Sequence, residues 1–498
     1  MFLCQSRNQY LSVTRRALLL AGLLMLAACS SPRTVLPTST PGVTAQPETE
    51  VTPLPTRGPH PPGELIPYQA QNGDTLPAVA AHFSTSVDAI LEANPELAPD
   101  TTTLAPGLAL QVPAYYLPLT GTPFQILPDS EVIYGPTAKD FDIRLELLGR
   151  PGFVSDAADY AYRIDRPAWE VIEIVARNYS LNPRLLMALL EYGSSGLTDP
   201  FPEEQATMYP IGYASDRYRG LFRQLLWAAE RLNDGYYGWR TGSLREFETA
   251  DGMLYRPDSW QNAGTVAVQM LLAGLHNSEE FERAVGPEGF ITTYKRLWGD
   301  PYELAADPIP AQLVQPSLDL PFVPDRIWDF TGGPHFSWGT SLPWGALDFA
   351  PPSEQTGCVP SSEWVTAPAP GLIIRSREAI IELDLDGDGY GGTGWVLVYF
   401  HMGENDLIPE GTRVQTGDLL GHPSCEGGRS TGTHFQLARR YNGEWLPAWG
   451  PIPFVLDGWV ADRGVEPYEG TLTKGSKVVP ACTCSTRENR ILYELPEG

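Results

Sequence analysis

The stretch RSTGTHFQLARR, residues 429–440, predicts a β-strand that carries His434 and Gln436 on the same face, because side chains alternate along a strand. The neighbouring runs EWVTAPAPGLIIRSR, GWVLVYFHM and GTRVQTGDLLGHP share its character. Runs of β-branched and aromatic residues that glycine and proline separate are typical of antiparallel β-structure. We therefore expect an antiparallel β-sheet domain over residues 315–462.

Histidine clusters in this predicted domain. The chain has 7 histidines in 498 residues, and His335, His401, His422 and His434 all lie here. The segment TGGPHFSWGTSLPWGALDFAPP also contains Asp348, and GWVLVYFHM places one histidine directly after a strand. Histidine and aspartate are common metal ligands, so their concentration in a chain poor in histidine indicates a site.

The order of these segments resembles the lysostaphin-type zinc metallopeptidases, and GGPH and LDF place the resemblance nearer the beta-lytic branch. The resemblance implies that His335 and Asp348 bind zinc. It also implies that His401 and His434 assist catalysis, as acid and base or as oxyanion stabilisers. A catalytic zinc takes three protein ligands and leaves one position for water. Gln436 stands at the third ligand position, and a neutral amide oxygen is a poor zinc ligand beside imidazole.

Two functions remain open on these residues. The first is a zinc metallo-endopeptidase that acts on cell-wall peptide cross-links. The second is a catalytically degenerate protein that binds the wall and recruits or activates another peptidoglycan hydrolase. His422, in GHPSC, could supply the missing zinc ligand, although the resemblance assigns it no role.

Residues 65–115 predict a small βααβ unit. A strand and turn in IPYQAQNGD precede two helices, in TLPAVAAHF and SVDAILEANP, and LAPGLALQVP returns as a strand. Ser86 is the expected N-cap of the second helix, and Pro95 its stop. The unit resembles a LysM module, which implies binding to the N-acetylglucosamine-containing glycan of peptidoglycan or chitin and no catalysis.

The middle of the chain predicts a mostly α-helical domain over residues 165–310, because its apolar residues recur at helical spacing. The stretch YSLNPRLLMALLEYGSSG resembles the opening of a lytic transglycosylase, where a helix ends at a catalytic Glu. Gly193 falls at the position of that Glu, and Glu191 lies on a different face of the helix. We expect a lysozyme-like fold at most, without glycan cleavage; the alternative is an unrelated helical scaffold. Residues 116–164 form a mixed connecting region in which DIRLELLG is strand-like.

The N-terminus predicts export. Arg15 and Arg16 precede the apolar run ALLLAGLLMLAA, which is shorter than the about 20 residues that span a bilayer. The run ends in LAAC, which resembles a bacterial lipobox and implies lipidation of Cys29. The Pro-, Thr- and Ser-rich residues 30–64 predict an extended tether. Together these features predict an exported, membrane-anchored lipoprotein that faces the cell wall or periplasm.

Charge and cysteine content add two expectations. The formal net charge of −26 argues against nucleic-acid binding, which needs clustered Lys and Arg. In an exported chain, Cys358 and Cys425 are candidates for a disulfide, because both lie in predicted loops of one domain. The state of Cys482 and Cys484 stays open.

The run DLDGDGYGG contains a candidate calcium site. Asp384, Asp386 and Asp388, followed by Gly389, match the first half of an EF-hand loop. The twelfth position is Trp395 instead of Glu. Such Asp-Gly runs also form plain hairpin turns, which is the interpretation that the sequence alone favours.

At this length the chain exceeds a single core of about 250–300 residues, so we expect several domains. The predicted segments are a lipoprotein signal peptide (1–29), a tether (30–64), a LysM module (65–115), a mixed connecting region (116–164), a helical lysozyme-like domain (165–310), a metallopeptidase-like β domain (315–462) and a C-terminal tail (463–498).

Overall fold

The computed structural model describes residues 54–115, 121–353 and 355–494, which belong to one compact unit. The predicted signal peptide, Cys29 and most of the tether lie outside the described residues. Within the described ranges, no helix is both long and apolar enough to cross a bilayer.

The first domain has the predicted βααβ order. The strands β1 (Glu64–Gln69) and β2 (Ala109–Ala114) pair antiparallel, and helices α1 (Leu76–His82) and α2 (Val87–Ala93) lie between them in the chain. Each helix begins at a side-chain cap, because Thr75 accepts from the amide of Ala78 and Ser86 from that of Ala89. Val79, Phe83, Ile90 and Val112 are fully buried and form the core.

Two loops of this first domain hold a segment that follows the helical region, here called the linker segment 309–313. The Asn72 side chain donates to the carbonyl of Ile309 at 2.8 Å and accepts from its amide at 3.2 Å. The Thr103 hydroxyl donates to Pro310 O at 2.8 Å and accepts from the amide of Leu313 at 2.9 Å. The first domain is therefore docked onto the rest of the molecule through specific backbone recognition.

The middle of the chain is mostly helical, as predicted. Its elements are α3 (Ile143–Leu148), β3 (Ala158–Ala161), β4 (Ile164–Pro167), α4 (Ala168–Tyr179), α5 (Pro183–Ser194), α6 (Glu204–Met208), α7 (Leu221–Arg240), β5 (Phe247–Glu248), β6 (Leu254–Tyr255), α8 (Ala263–Ala273), α9 (Ser278–Ala284) and α10 (Phe290–Trp298).

One local expectation in this region is wrong. The strand-like run DIRLELLG forms helix α3, because the carboxylate of Asp142 accepts from the amide of Leu145 and caps the first turn. Only Ile143 and Leu147 of α3 are buried, four residues apart on one helical face. The run is too short for strand alternation and helical spacing to be told apart by sequence.

The C-terminal region is an antiparallel β domain, as predicted. Its strands are β7 (Ile327–Phe336), β8 (Trp344–Ala350), β9 (Val365–Thr366), β10 (Gly371–Arg377), β11 (Ile380–Asp384), β12 (Trp395–Phe400), β13 (Arg413–Val414), β14 (Leu419–Gly421), β15 (Phe435–Tyr441), β16 (Glu444–Trp445), β17 (Val455–Leu456), β18 (Trp459–Arg463), β19 (Gly470–Lys474), β20 (Lys477–Pro480) and β21 (Arg490–Leu492).

The main sheet of this domain has nine strands in the order β13-β10-β11-β12-β15-β8-β7-β21, with β16 beside β15. The predicted tail over residues 463–498 is not a separate tail. Its strand β21 pairs with β7, strands β19 and β20 extend a second sheet, and Ile491 is fully buried in the core. The apolar positions of this stretch were too sparse to predict that packing.

One face of the main sheet packs against the helical region. Arg375 and Arg440 both bind the carboxylate of Glu382, at 3.4 and 2.7 Å, and Arg375 also donates to Asn178 of α4 at 2.8 Å. All three charged side chains are buried, and the two guanidinium groups hold the pKa of Glu382 below its usual value although burial raises it. This network fixes the helical region on the sheet.

Candidate metal centre

Three adjacent strands converge on the candidate site. His335 lies near the end of β7, Asp348 lies in β8, and Gln436 lies directly opposite Asp348 in the β15–β8 pair. Gly332 of β7 faces Asp348, and a Cβ there would lie 2.5 Å from the carboxylate. The lack of a side chain at that glycine gives the carboxylate its position beside the imidazole.

The distances fit a set of metal ligands. The Nε2 atom of His335 is 3.3 Å from Asp348 Oδ1 and 3.4 Å from Gln436 Oε1. A tetrahedral zinc with ligands at about 2.1 Å has ligand-to-ligand edges of about 3.4 Å. Asp348 Oδ1 is buried and has no hydrogen-bond partner among the described residues. Such an orphaned carboxylate oxygen, facing an imidazole nitrogen at this distance, is what a metal site requires.

The Gln436 amide has a defined orientation. Its Nε2 donates to the carbonyl of Ser337 at 3.0 Å, so its Oε1 is the atom that faces His335. Ser337 belongs to the segment between β7 and β8, which also contacts helix α7 through an amide of Leu342 that donates to Asp234 at 3.0 Å. Gln436 therefore presents an oxygen, and a buried carbonyl holds it there.

His335, His401 and His434 each have one ring nitrogen within hydrogen-bond distance of a backbone carbonyl. Nδ1 of His335 lies 2.9 Å from Gly333 O, Nδ1 of His401 lies 2.7 Å from Glu426 O, and Nδ1 of His434 lies 2.8 Å from Gly432 O. A carbonyl only accepts, so each Nδ1 carries a proton that it donates, which leaves Nε2 as a lone pair in the neutral ring. This tautomer is the one a metal ligand or a general base needs.

The electrostatics of the site differ from one histidine to the next. Burial lowers the pKa of His335, but the Asp348 carboxylate outweighs burial and leaves that pKa above its usual value. Burial, followed by the neighbouring His434, lowers the pKa of His401 to about 4. His434 lies near His401 and Asp348, with its ring 4.6 Å from that of His401 and its Nε2 3.8 Å from Asp348 Oδ1. His401 is thus neutral at pH 7.

His422 does not join this set. Its Nδ1 faces the carbonyl of Glu363 at 2.8 Å, its ring packs on Trp364 at 3.9 Å, and its Nε2 is 4.0 Å from Asp406. The carboxylate nearest to its Nε2 is therefore that of Asp406, outside the set, and the contacts of His422 give no support to its serving as the third ligand.

Glu191 and Gly193, the two residues on which the resemblance to lytic transglycosylases depends, have contacts that explain them structurally. The Glu191 carboxylate accepts from the amide of Leu197, the hydroxyl of Thr198 and the guanidinium of Arg296, at 3.0, 2.7 and 2.8 Å. A Cβ on Gly193 would lie 2.5 Å from a backbone oxygen of the facing loop, so close packing explains the glycine. Glu191 is buried and saturated with donors, which does not suit a catalytic acid.

The other predicted residues lie away from the centre. Cys358 and Cys425 form a disulfide with a Cα–Cα distance of 5.8 Å, and Cys482 pairs with Cys484. The carboxylates predicted to bind calcium lie together in the turn between β11 and β12. This cluster of Asp384, Asp386 and Asp388 contains none of the histidines of the candidate metal centre.

Sequence reasoning missed Tyr468, whose ring stacks on that of His335 at 4.2 Å and 20°. Although Tyr468 is 45% exposed, the partial burial of its hydroxyl, followed by the charge of Asp348, raises the pKa of this phenol. Tyr468 lies between β18 and β19, within the stretch predicted to be a tail. No local motif marks it, since only the pairing of distant strands brings it to the site.

Comparison with known proteins gives two family matches in the first two thirds of the chain. Residues 68–113 match the LysM domain family, and residues 125–311 match the family described as LasA, N-terminal domain. Protease LasA from Pseudomonas aeruginosa strain UCBPP-PA14 is 25% identical over 359 residues, which cover 68% of this chain and 78% of the relative. Protease LasA from strain PAO1 is 26% identical over 362 residues, with the same coverage.

Solved structures give similar matches at lower coverage. The M23 metalloprotease pseudoalterin is 25% identical and covers 34% of this chain and 96% of its own, with a TM-score of 0.29. The catalytic domain of lysostaphin from Staphylococcus simulans is 20% identical and covers 24% of this chain and 87% of its own, with a TM-score of 0.18.

These comparisons confirm the LysM domain and the similarity to LasA-type, lysostaphin-like peptidases. The helical region matches the LasA N-terminal domain, so its predicted resemblance to lytic transglycosylases is not confirmed.

Proposed function

We propose that this protein is an exported, wall-bound metallo-endopeptidase that cuts peptide cross-links of peptidoglycan, with Gln436 as a weak third zinc ligand. The observation that carries the proposal is the position of Gln436 Oε1, 3.4 Å from His335 Nε2 and held there by the bond to Ser337. The similarity to protease LasA supports the peptidase class, and the LysM domain supports binding to the wall.

The residues that would hold zinc are His335, Asp348 and Gln436. When bound, zinc would polarise the scissile carbonyl and lower the pKa of a water molecule. One anionic and one neutral oxygen beside a single imidazole form a weaker donor set than two imidazoles and a carboxylate. We therefore expect measurable but weak zinc affinity and slow hydrolysis.

His401 and His434 provide the proton chemistry. Each ring is oriented by an Nδ1–H that donates to a backbone carbonyl, so each Nε2 is free to take up a proton. His401 is neutral at pH 7 because its pKa is about 4, and it can accept a proton only from a strongly activated group. A protonated imidazole at either position can stabilise a developing oxyanion or return the proton to the leaving amine.

A second candidate function rests on the same residue. Because Gln436 is neutral, the site can fail to retain zinc in the cell, and the protein would then bind the wall and recruit or activate another hydrolase. The buried site would survive without metal, since a hydrogen bond to Ser337 already satisfies the amide nitrogen.

Zinc content and cross-link cleavage distinguish the two. The natural protein, His335→Ala and Gln436→His are each equilibrated with zinc, dialysed and assayed for bound metal and for peptides released from purified sacculi. We expect weak zinc binding and slow release, both lost in His335→Ala and both increased in Gln436→His. His422→Ala is the matched control and should change neither, because its ring faces Trp364.

Cleavage only by Gln436→His would support the degenerate, recruiting function. Cleavage and zinc binding by neither form, with the fold intact, would contradict the peptidase proposal and show that the departure from the family goes beyond residue 436.

Lipid anchoring at Cys29 is part of the proposal. The lipobox-like LAAC motivates it. Cys29→Ala should move the protein from the membrane fraction to the soluble fraction or block its processing. Unchanged membrane attachment would contradict the anchor without touching the peptidase proposal.

A further inference from the structure

We propose that the turn between β11 and β12 is a calcium-binding site that stiffens the contact between the β domain and the helical region. Asp384 ends β11, Asp386 and Asp388 follow it in the turn, and one ligand oxygen of each lies within 4.8 Å of the others. Carboxylate oxygens are the ligands that calcium prefers. The site is separate from the histidine centre and from the peptidase function.

The strongest indication is the buried carboxylate of Asp384. Its side chain is fully buried at the end of β11, and its Oδ2 accepts from the amide of Gly389 at 2.9 Å. Its Oδ1 is also buried and has no hydrogen-bond partner within the described part of the chain. A buried, ionised oxygen without a partner is costly, so this atom requires a cation or a proton.

The charge balance favours a cation. One oxygen of each of the three carboxylates lies within 4.8 Å of the others, so the ionised groups repel one another. Among the residues that the structure describes, Lys139 forms its ion pair with Asp388, at 2.9 Å from Oδ2, and the Lys139 side chain is 47% exposed. Arg413 also reaches the turn, but its guanidinium donates to the carbonyl of Gly387 at 3.3 Å. A divalent ion among the carboxylates would offset more of their charge than the exposed ammonium does.

The missing Glu sets the expected affinity. Calcium takes six to eight oxygens, and carbonyl and water oxygens complete the sphere where carboxylates are few. With Trp395 at the twelfth position, the site has three carboxylates and no bidentate glutamate. We therefore expect a dissociation constant of about 10⁻⁴–10⁻³ M, which is typical of extracellular modules.

The same turn contacts the helical region. The hydroxyl of Tyr390 donates to the carbonyl of Gly135 at 3.1 Å, and its ring meets that of Tyr134 at 5.9 Å. A cation that fixes the turn would also fix this tyrosine. Calcium should therefore raise the unfolding temperature of the whole chain, because ligands that bind only the folded state stabilise it.

Terbium luminescence and calorimetry test the site in the full chain. Tyr390 and Trp395 flank the carboxylates and should sensitise bound terbium, which calcium should displace. Calorimetry should give one calcium per chain in the affinity range above. Asp386→Asn, at an exposed position, should weaken binding at least tenfold and abolish the rise in unfolding temperature.

Asp140→Asn is the matched control, because it removes the same charge at an exposed position beside Lys139 but outside the carboxylate group. It should bind calcium like the natural protein. The proposal is overturned if the natural protein shows no binding even when the calcium concentration is raised to well above 1 mM, in the range of about 10⁻³ M and higher. It is also overturned if Asp386→Asn binds calcium as tightly as the natural protein. Unfolding in the absence of calcium checks that both variants are folded.

Discussion

The Nε2 atom of Gln436 donates a 3.0 Å hydrogen bond to the carbonyl of Ser337, and this bond determines which atom of the amide faces His335. Without it, the amide could turn its NH₂ group toward the imidazole and exclude a metal. With it, the substitution of a histidine by glutamine keeps an electron donor at the third ligand position. The segment that carries Ser337 therefore has as large a part in the metal centre as the strand that carries Gln436.

Gln436→Glu adds a charge at the third ligand position and removes the hydrogen bond to Ser337. A carboxylate oxygen binds zinc more strongly than an amide oxygen, so zinc affinity should rise. The variant loses the donor to the buried Ser337 O and places a second carboxylate opposite Asp348, so the unfolding free energy of the metal-free protein should fall by at least about 1–3 kcal/mol. Zinc titration and chemical denaturation measure the two effects. Equal zinc affinity in both forms would show that residue 436 is not a ligand.

Glu191→Gln tests whether the helical region cleaves glycan. Its carboxylate binds three donors, including Arg296 at 2.8 Å, so we expect a loss of about 1–2 kcal/mol in unfolding free energy. We expect no release of anhydro-muropeptides by the natural protein, and hence no change. Release by the natural protein that Glu191→Gln abolishes would show that this residue is a catalytic acid after all.

Several features of the site follow from sequence, and the reasons are local. Alternation along one strand places His434 and Gln436 on the same side, and the motif order indicates His335 and Asp348 as their neighbours. The contributions of Ser337 and Tyr468 do not follow, because they depend on segments that meet only through sheet pairing and domain docking. Burial patterns in short runs are equally ambiguous, which is why α3 and the strands after residue 463 were mispredicted.

Asn72→Ala tests the docking of the LysM domain. Ile309 loses the partners of both its amide and its carbonyl, so we expect a loss of about 1–3 kcal/mol in unfolding free energy. The linker segment 309–313 should also be cut faster by a non-specific protease in native conditions. Asn94→Ala is the control, because it removes contacts within the LysM domain only, to Ile90 and Gln111. Faster cleavage in the control alone would contradict the docking role of Asn72.

Stability should fall in mild acid because of His82, at the contact between the LysM domain and helix α7. Its ring stacks on Trp239 at 3.7 Å and its Nε2 donates to the carbonyl of Trp239 at 3.0 Å. Its Nδ1 is buried and has no partner among the described residues, so a proton there could not be solvated. Burial accordingly lowers the pKa of His82 to about 4, and the charge of Arg240 acts in the same direction.

The sign follows from proton binding. Between pH 6.5, the usual pKa of histidine, and about pH 4, the unfolded chain binds a proton at His82 that the folded chain does not. The contribution of His82 to stability is therefore complete above pH 6.5 and declines as the pH falls to about 4. The difference corresponds to about 3 kcal/mol. His82→Phe keeps an aromatic ring on Trp239 and removes the titration. Urea denaturation of both forms from pH 7 to 4 isolates this contribution, because carboxylates titrate alike in each. The natural protein should lose about 3 kcal/mol more than the variant over that range. Parallel curves would show that folding does not lower the pKa of His82.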